Sequence, residues 1–314
     1  MKTKYLGKMN IHDKMNDPKH AVWVSLLVMT FWGIFVIIPR NLAVILTEVT
    51  EFNYLTELAI SFVIQFVSAG IAFLILVPLL LGVPTKISPF RSYLKSIRLI
   101  EFQNLSKLFF IGFTVTIYII FFAIFLPSTT GDLLLYPEKV FGQPVRNTEV
   151  PEESTMGWFA FIYMLVPGIW EEVFARGIIL EILLKKYPEE KGQHHKAIFL
   201  GGFIFGLTHL LDIPELISSP SFVLGQLVWA AVIGIAWGYV RVGTNSLLPS
   251  ITSHWPVDSF PAYLGFSGDM MVFLLLFLLA LVVASLFTIL LVYQTTDLGS
   301  RNRRIESTNV DSSP

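Results

Sequence analysis

Blocks of about 20 apolar residues recur along the chain between polar connectors, and that is the length a helix needs to cross about 30 Å of hydrocarbon. About eight such blocks can be read in order, centred near Val28, Phe66, Tyr118, Gly168, Phe203, Ala231, Ser253 and Leu281. The pattern predicts an all-α, polytopic membrane helix bundle. The first block follows a polar stretch of about 20 residues with no small-residue cleavage pattern, so it reads as a retained anchor. The seventh, 246–265, is interrupted by Pro249, His254, Pro256, Asp258 and Pro261. Such a segment needs other helices or a wet cavity around it, because lipid offers nothing to its freed backbone groups.

Composition agrees with the pattern. Of 314 residues 54% are hydrophobic and only 14% charged, against about 25% charged in an ordinary soluble domain. A net charge of −1 gives no reason to expect a nucleic-acid partner. Without cysteine the chain has no disulfide, thiol nucleophile or thiolate metal site. The distribution of charge says more. Placing the N-terminus inside puts all but four of the 22 Lys and Arg residues (Arg40, Lys139, Arg146 and Arg176) on the cytoplasmic side. Acidic loops carrying Glu48, Glu51, Asp132, Glu138, Glu149, Glu152, Glu153, Asp212, Glu215 and Asp269 then lie opposite. This obeys the positive-inside rule, and it predicts a multi-pass protein of the cell membrane with both termini cytoplasmic.

Two connectors stand apart. Residues 86–107 interleave Lys86, Arg91, Lys95, Arg98 and Lys107 with Phe90, Tyr93, Leu94, Ile97, Leu99, Ile100 and Phe102. That mixture suits a helix lying on an anionic inner leaflet, or an ordinary positive-inside connector. Residues 127–155 form a long acidic outer loop containing Pro and Gly. The organisation that follows is a cytoplasmic segment 1–20, membrane helices over 21–156, a core over 157–265, a last membrane helix over 266–294, and a polar, disordered tail over 295–314.

Candidate chemistry sits in three later blocks. Glu171, Glu172 and Arg176 lie inside an apolar run, where each charge facing lipid would cost roughly 2.5 to 3.5 kcal/mol. They must face protein, water or one another. Glu172 and Arg176 are i and i+4, so they share a helix face and suit a structural ion pair. Glu171 points about 100° away and is left free for a cavity, as a general base or acid. The next block ends in Phe205 to His209. The seventh carries His254 and, one turn on, Asp258, which share a face only if the helix survives Pro256. His12, His20, His194 and His195 fall in polar segments and read as solvated.

The order Glu171-Glu172-Val173-Phe174-Ala175-Arg176, then Phe205-Gly206-Leu207-Thr208-His209, then His254-Trp255-Pro256-Val257-Asp258 resembles the CPBP (also ABI) family. This family includes the type II CAAX prenyl endopeptidases and bacteriocin self-immunity proteins. Its pattern is E-E-x-x-x-R, F-x-x-x-H and H-x-x-x-N or D, and the match spans about 157–265. The resemblance implies an intramembrane glutamic protease acting on a peptide or protein substrate, prenylated or not, within membrane lipid. Glu171, assisted by His209, would activate water. Glu172 and Arg176, with Phe205, would support that glutamate, and His254 with Asp258 would stabilise the oxyanion. An ionised Asp has no hydrogen to give, so orienting His254 is the role that suits Asp258.

No cofactor is expected. The alternative is zinc, since a Glu and two His are a hydrolase ligand set, but neither His-x-x-x-His nor His-Glu-x-x-His occurs and the set would have to assemble from three helices. A non-catalytic scaffold or self-immunity protein is the rival outside enzymology. Its ionisable cluster would serve packing alone.

Overall fold

The computed structural model describes residues 17–39, 41–42, 54–81, 87–98, 104–122, 165–259, 270–296 and 298. Among these residues there are helices and short connections and no strand. The outer loop 127–155, the N-terminal segment as far as residue 16 and most of the tail lie outside them.

Each of the eight expected centres falls in a helix. Helix α1 runs over Pro18–Ile37. Helix α2 is Tyr54–Ile71 continued through a π-turn, Ala72–Leu76, into Val77–Leu80. A short basic helix, α3 (Ile87–Ser96), precedes α4 (Leu105–Ile120). Helix α5 is Leu165–Glu172, a seven-residue π-turn Val173–Ile179, and Leu180–Lys186. Then follow α6 (His194–Thr208), the short α7 (Ile213–Ser218), α8 (Pro220–Thr244), α9 (Leu248–Ser259) and α10 (Met270–Thr295). Among the described residues four stretches are long and apolar enough to cross a bilayer: Pro18–Ile37, Ala59–Leu80, Pro220–Thr244 and Phe277–Thr295. The others are shorter or more polar for a physical reason. Helix α5 carries the ionisable cluster, and α9, at 12 residues, rises only about 18 Å.

The outside of the bundle is apolar as well as the inside. On α4, Phe110, Phe113 and Ile117 form an exposed stripe, while Leu108, Ile111, Val115 and Ile119 on the other face are buried. A soluble helix would be polar on that outer stripe, and lipid is the solvent that suits it. Helices α6 and α8 approach closely. A Cβ on Gly206 would meet the Leu227 carbonyl at 2.5 Å, and one on Gly202 would meet Ile235 at 2.6 Å. This small-xxx-small spacing lets two membrane helices pack backbone to backbone.

Prolines inside two helices leave carbonyls without their usual donors, and hydroxyls from neighbouring elements supply them. In the π-turn of α2 the Val77 N–H bonds the Ala72 carbonyl, so the next donor in register, for Phe73, would belong to Pro78, which has none. Tyr93 of α3 donates its hydroxyl to that Phe73 carbonyl at 2.8 Å. Helix α9 continues through Pro256, which frees the carbonyl of Thr252. Thr116 of α4 donates to it at 3.3 Å while also bonding Gly112 of its own helix at 2.8 Å. Both repairs satisfy the requirement that backbone polar groups be paired at membrane depth.

Candidate active site

Helix α5 presents two opposed faces. Trp170 and Phe174, one turn apart, enter an aromatic cluster with Trp32 of α1 and Phe73 of α2. The Trp32–Phe174 ring centroids are 4.9 Å apart and those of Phe73–Phe174 are 5.7 Å apart. The other face carries Glu172 and Arg176, both fully enclosed. Arg176 Nη1 lies 2.9 Å from Glu172 Oε1, as the i,i+4 spacing predicts. The contact is electrostatic, since the guanidinium N–H vectors are not aligned on the carboxylate. The rest of the guanidinium is held by rings, 4.2 Å from the centroid of Phe205 and 5.1 Å from that of Trp237. Cation–π attraction is strongest where water is excluded, as it is here. Gly234 of α8 makes the space, because a Cβ there would stand 3.1 Å from Arg176 Nη2.

His254 is the hub. Its Nδ1 donates to Glu172 Oε1 at 2.8 Å, the same oxygen that Arg176 approaches. Its Nε2 lies 3.2 Å from Asp258 Oδ2 and 3.5 Å from Glu171 Oε2. The 100° divergence of Glu171 from Glu172 therefore has a specific use: consecutive carboxylates straddle one imidazole and reach its two nitrogens. Glu172 is sealed, whereas the Glu171 and Asp258 side chains keep 19% and 30% exposure, so the reachable oxygens belong to these two. Three carboxylates face one guanidinium and one imidazole, leaving a net negative charge even when the imidazole is protonated. A proton, a cation or a substrate donor group can balance it.

The face shared by His254 and Asp258 survives Pro256, because α9 remains helical through it. His209 sits where α6 tightens into a 3₁₀ turn. Its Nδ1 is 3.3 Å from the Phe205 carbonyl, and its ring meets that of Phe205 edge to face at 5.5 Å. Phe205 also meets His254 edge to face, at 6.1 Å, and so spans the two imidazoles. The imidazole in direct contact with Glu171 is that of His254; the contacts of His209 run through Phe205.

Two residues here carry no signal in the sequence. Trp237 stacks on His254 with centroids 4.1 Å apart and planes 28° from parallel. In sequence it is one more tryptophan in a 25-residue apolar helix, indistinguishable from one facing lipid. Gly234 lies one turn before it, and only the small-xxx-small spacing to Gly238 hints at close approach. His194 corrects an expectation. It is fully buried, because the short connection after α5 folds the first turn of α6 into the protein, and His195 beside it bonds the Tyr239 hydroxyl at 2.7 Å.

A divalent ion has one cluster to choose among the described residues. Glu171, His254 and Asp258 offer ligand atoms that all lie within 4.8 Å of one another. The set anticipated from the sequence is one Glu with two His from three helices; the ligand atoms that cluster here are those of Glu171, His254 and Asp258, from α5 and α9. The new set has a carboxylate, Glu172, behind the histidine, as metal-binding histidines commonly do.

Residues 153–260, the segment that holds all three motif elements, match the type II CAAX prenyl endopeptidase Rce1-like family. Neither a curated protein nor a solved structure matches the chain. The matched family supports a CAAX-type membrane endopeptidase, with a peptide or protein as its class of substrate.

Proposed function

Starting from a membrane endopeptidase segment of this family, we propose that the chain hydrolyses a peptide bond of a CAAX-type substrate with Glu171 as the general base. The observation that carries the reading is the division between two adjacent glutamates. Glu172 is sealed and engaged by Arg176 and His254, while Glu171 is partly exposed beside the same imidazole. Glu171 takes a proton from water as the water oxygen attacks the scissile carbonyl carbon. The same proton then passes to the leaving nitrogen as the C–N bond breaks. His254, locked at Nδ1 by Glu172, turns Nε2 toward the developing oxyanion, and the substrate oxygen displaces Asp258 from that N–H. Asp258 holds the ring until then. The family resemblance assigns an assisting role to His209, which is joined to His254 through the Phe205 ring between them. Prenylation of the substrate and the inward orientation of both termini belong to this same proposal.

Cleavage of a fluorogenic farnesylated CAAX peptide by detergent-purified wild type and Glu171→Gln, with and without a zinc chelator, tests it. Chelator-resistant cleavage that falls by about 10²- to 10⁴-fold in the variant is expected. Undiminished cleavage by a folded Glu171→Gln would sink the reading. The clustering of Glu171, His254 and Asp258 favours a second one, in which these three residues would hold a zinc ion and the ion would supply Lewis-acid activation of water. Stoichiometric metal in active protein, lost together with activity in His254→Ala, would establish that version.

A further inference from the structure

The basic segment 86–107 takes no part in the site's chemistry, yet its helix is built against the helix that carries the site. Tyr93 on α3 and Ile97, the first residue past its end, are buried. Tyr93 caps the Phe73 carbonyl at 2.8 Å, and Phe73 packs on Phe174 and Trp170, which flank Glu171 and Glu172 in sequence. Burial pushes the Tyr93 phenol well above its ordinary value, so its hydroxyl stays protonated as a donor. Ile97 closes on Gly177, the neighbour of Arg176. A Cβ on Gly177 would lie 3.3 Å from the Ile97 Cβ. Tyr93 and Ile97 are therefore spent on protein. An amphipathic helix that merely floats on a membrane puts its apolar side into lipid, so this one engages the bilayer differently.

What α3 turns outward is cationic. Arg91 and Lys95, again one turn apart, are exposed, with Ser92 and Ser96 exposed beside them. The charge distribution that orients the chain puts this face at the inner leaflet, whose anionic headgroups attract basic residues near the membrane. We propose that the outer face of α3 is a binding surface for anionic phospholipid, and that the bound headgroups hold α3 seated against α2 and the π-turn of α5. Because Tyr93 and Ile97 hold α3 to the aromatic cluster and to Gly177, unseating it loosens the packing behind Glu172 and Arg176. Anionic lipid thereby acts as a positive effector of the proposed protease.

Titration of phosphatidylglycerol into the detergent-solubilised full-length protein, read as a rise in Tm, tests the surface independently of proteolysis; phosphatidylcholine is the comparison. Wild type is expected to be stabilised by phosphatidylglycerol, less so at high salt, and not by phosphatidylcholine. The double variant Arg91→Gln/Lys95→Gln is expected to need about 30-fold more phosphatidylglycerol, at about fivefold per cation. Lys185→Gln/Lys186→Gln removes the same charge from the end of α5 and should leave the midpoint within about twofold of wild type, since neither lysine lies on α3. Equal weakening by the two double variants would reduce the effect to bulk charge and overturn the proposal. So would stabilisation by both lipids alike, or by neither. Arg91→Lys, which keeps the charge, should retain wild-type affinity. Because the readout is Tm, an inactive protein would fail the peptide assay and still answer this one.

Discussion

Two arginine–glutamate pairs share helix α5 and the same N···O distance of 2.9 Å, yet they are different objects. Arg241 of α8 donates a hydrogen bond to Glu181, whose side chain keeps 28% exposure. Arg176 meets Glu172 without an aligned bond, with both side chains at 2% exposure or less, and the oxygen it approaches already accepts from His254. Distance alone would rank the pairs equal. What separates them is who else uses the carboxylate and whether water can replace a lost partner. The Arg241 pair fastens two helices near their ends. The Arg176 pair belongs to a charge cluster that fixes an imidazole, and the rings of Phe205 and Trp237 cover its guanidinium.

Removing each arginine should expose that difference most strongly. Arg176→Met leaves Glu172 buried without its counter-charge, and breaking an enclosed pair from one side costs about 3–5 kcal/mol. Arg241→Met leaves Glu181 where water can reach it, and the loss should be about 1–2 kcal/mol. Unfolding followed by Tm and denaturant titration in detergent reads both values. Similar losses from the two variants would mean that enclosure matters less than the shared distance. Adding Glu172→Gln to Arg176→Met should recover part of the loss, because the stranded charge is then gone.

A gentler way to disturb the enclosed pair is to fill its space. Gly234→Ala sets a methyl 3.1 Å from both Arg176 Nη2 and the Phe205 ring, and overpacking there should cost about 1–3 kcal/mol and lower peptide cleavage. Gly201→Ala on α6 is the matched control, since its nearest neighbours stand 3.8 Å away in ordinary contact. Alanine in that helix interior should be neutral or stabilise by about 0.5–1 kcal/mol. An equal loss from both would show that any added methyl between these helices is harmful, and would remove the special standing of Gly234.

Much of this was legible beforehand, for identifiable reasons. The helices announce themselves because lipid demands about 20 apolar residues, and a helix centre lies at each of the eight expected positions. The Glu172–Arg176 pair follows from i,i+4 spacing alone. Its neighbours do not. That His254 rather than His209 touches Glu171 depends on how α9 seats between α4 and α5, a long-range packing outcome with no local signature. Trp237 is invisible for a related reason: an apolar helix in a membrane protein is apolar all round, so periodicity cannot say which tryptophan faces a charge and which faces lipid. The solvated reading of His194 failed because a polar connector was equated with an exposed one.

The smallest effect bears on how the second partner of Glu172 is delivered. Where α9 runs through Pro256, between His254 and Asp258, Thr116 shares its hydroxyl hydrogen with the freed Thr252 carbonyl, at 3.3 Å, and with Gly112, at 2.8 Å. Tyr93 makes the corresponding repair in α2 with an undivided bond of 2.8 Å. Tyr93→Phe should therefore cost about 1–1.5 kcal/mol and the isosteric Thr116→Val about 0.5–1 kcal/mol. The order should reverse in the peptide-cleavage assay. Thr116 supports the helix that bears His254 and Asp258, so its loss shifts both against Glu171, whereas Tyr93 reaches the site only through the aromatic cluster behind α5. If Thr116→Val leaves cleavage at the wild-type rate while Tyr93→Phe lowers it, the site is held from the α2 side, and the Arg176 cluster owes its alignment to the aromatic packing of Phe73, Trp170 and Phe174 rather than to α9.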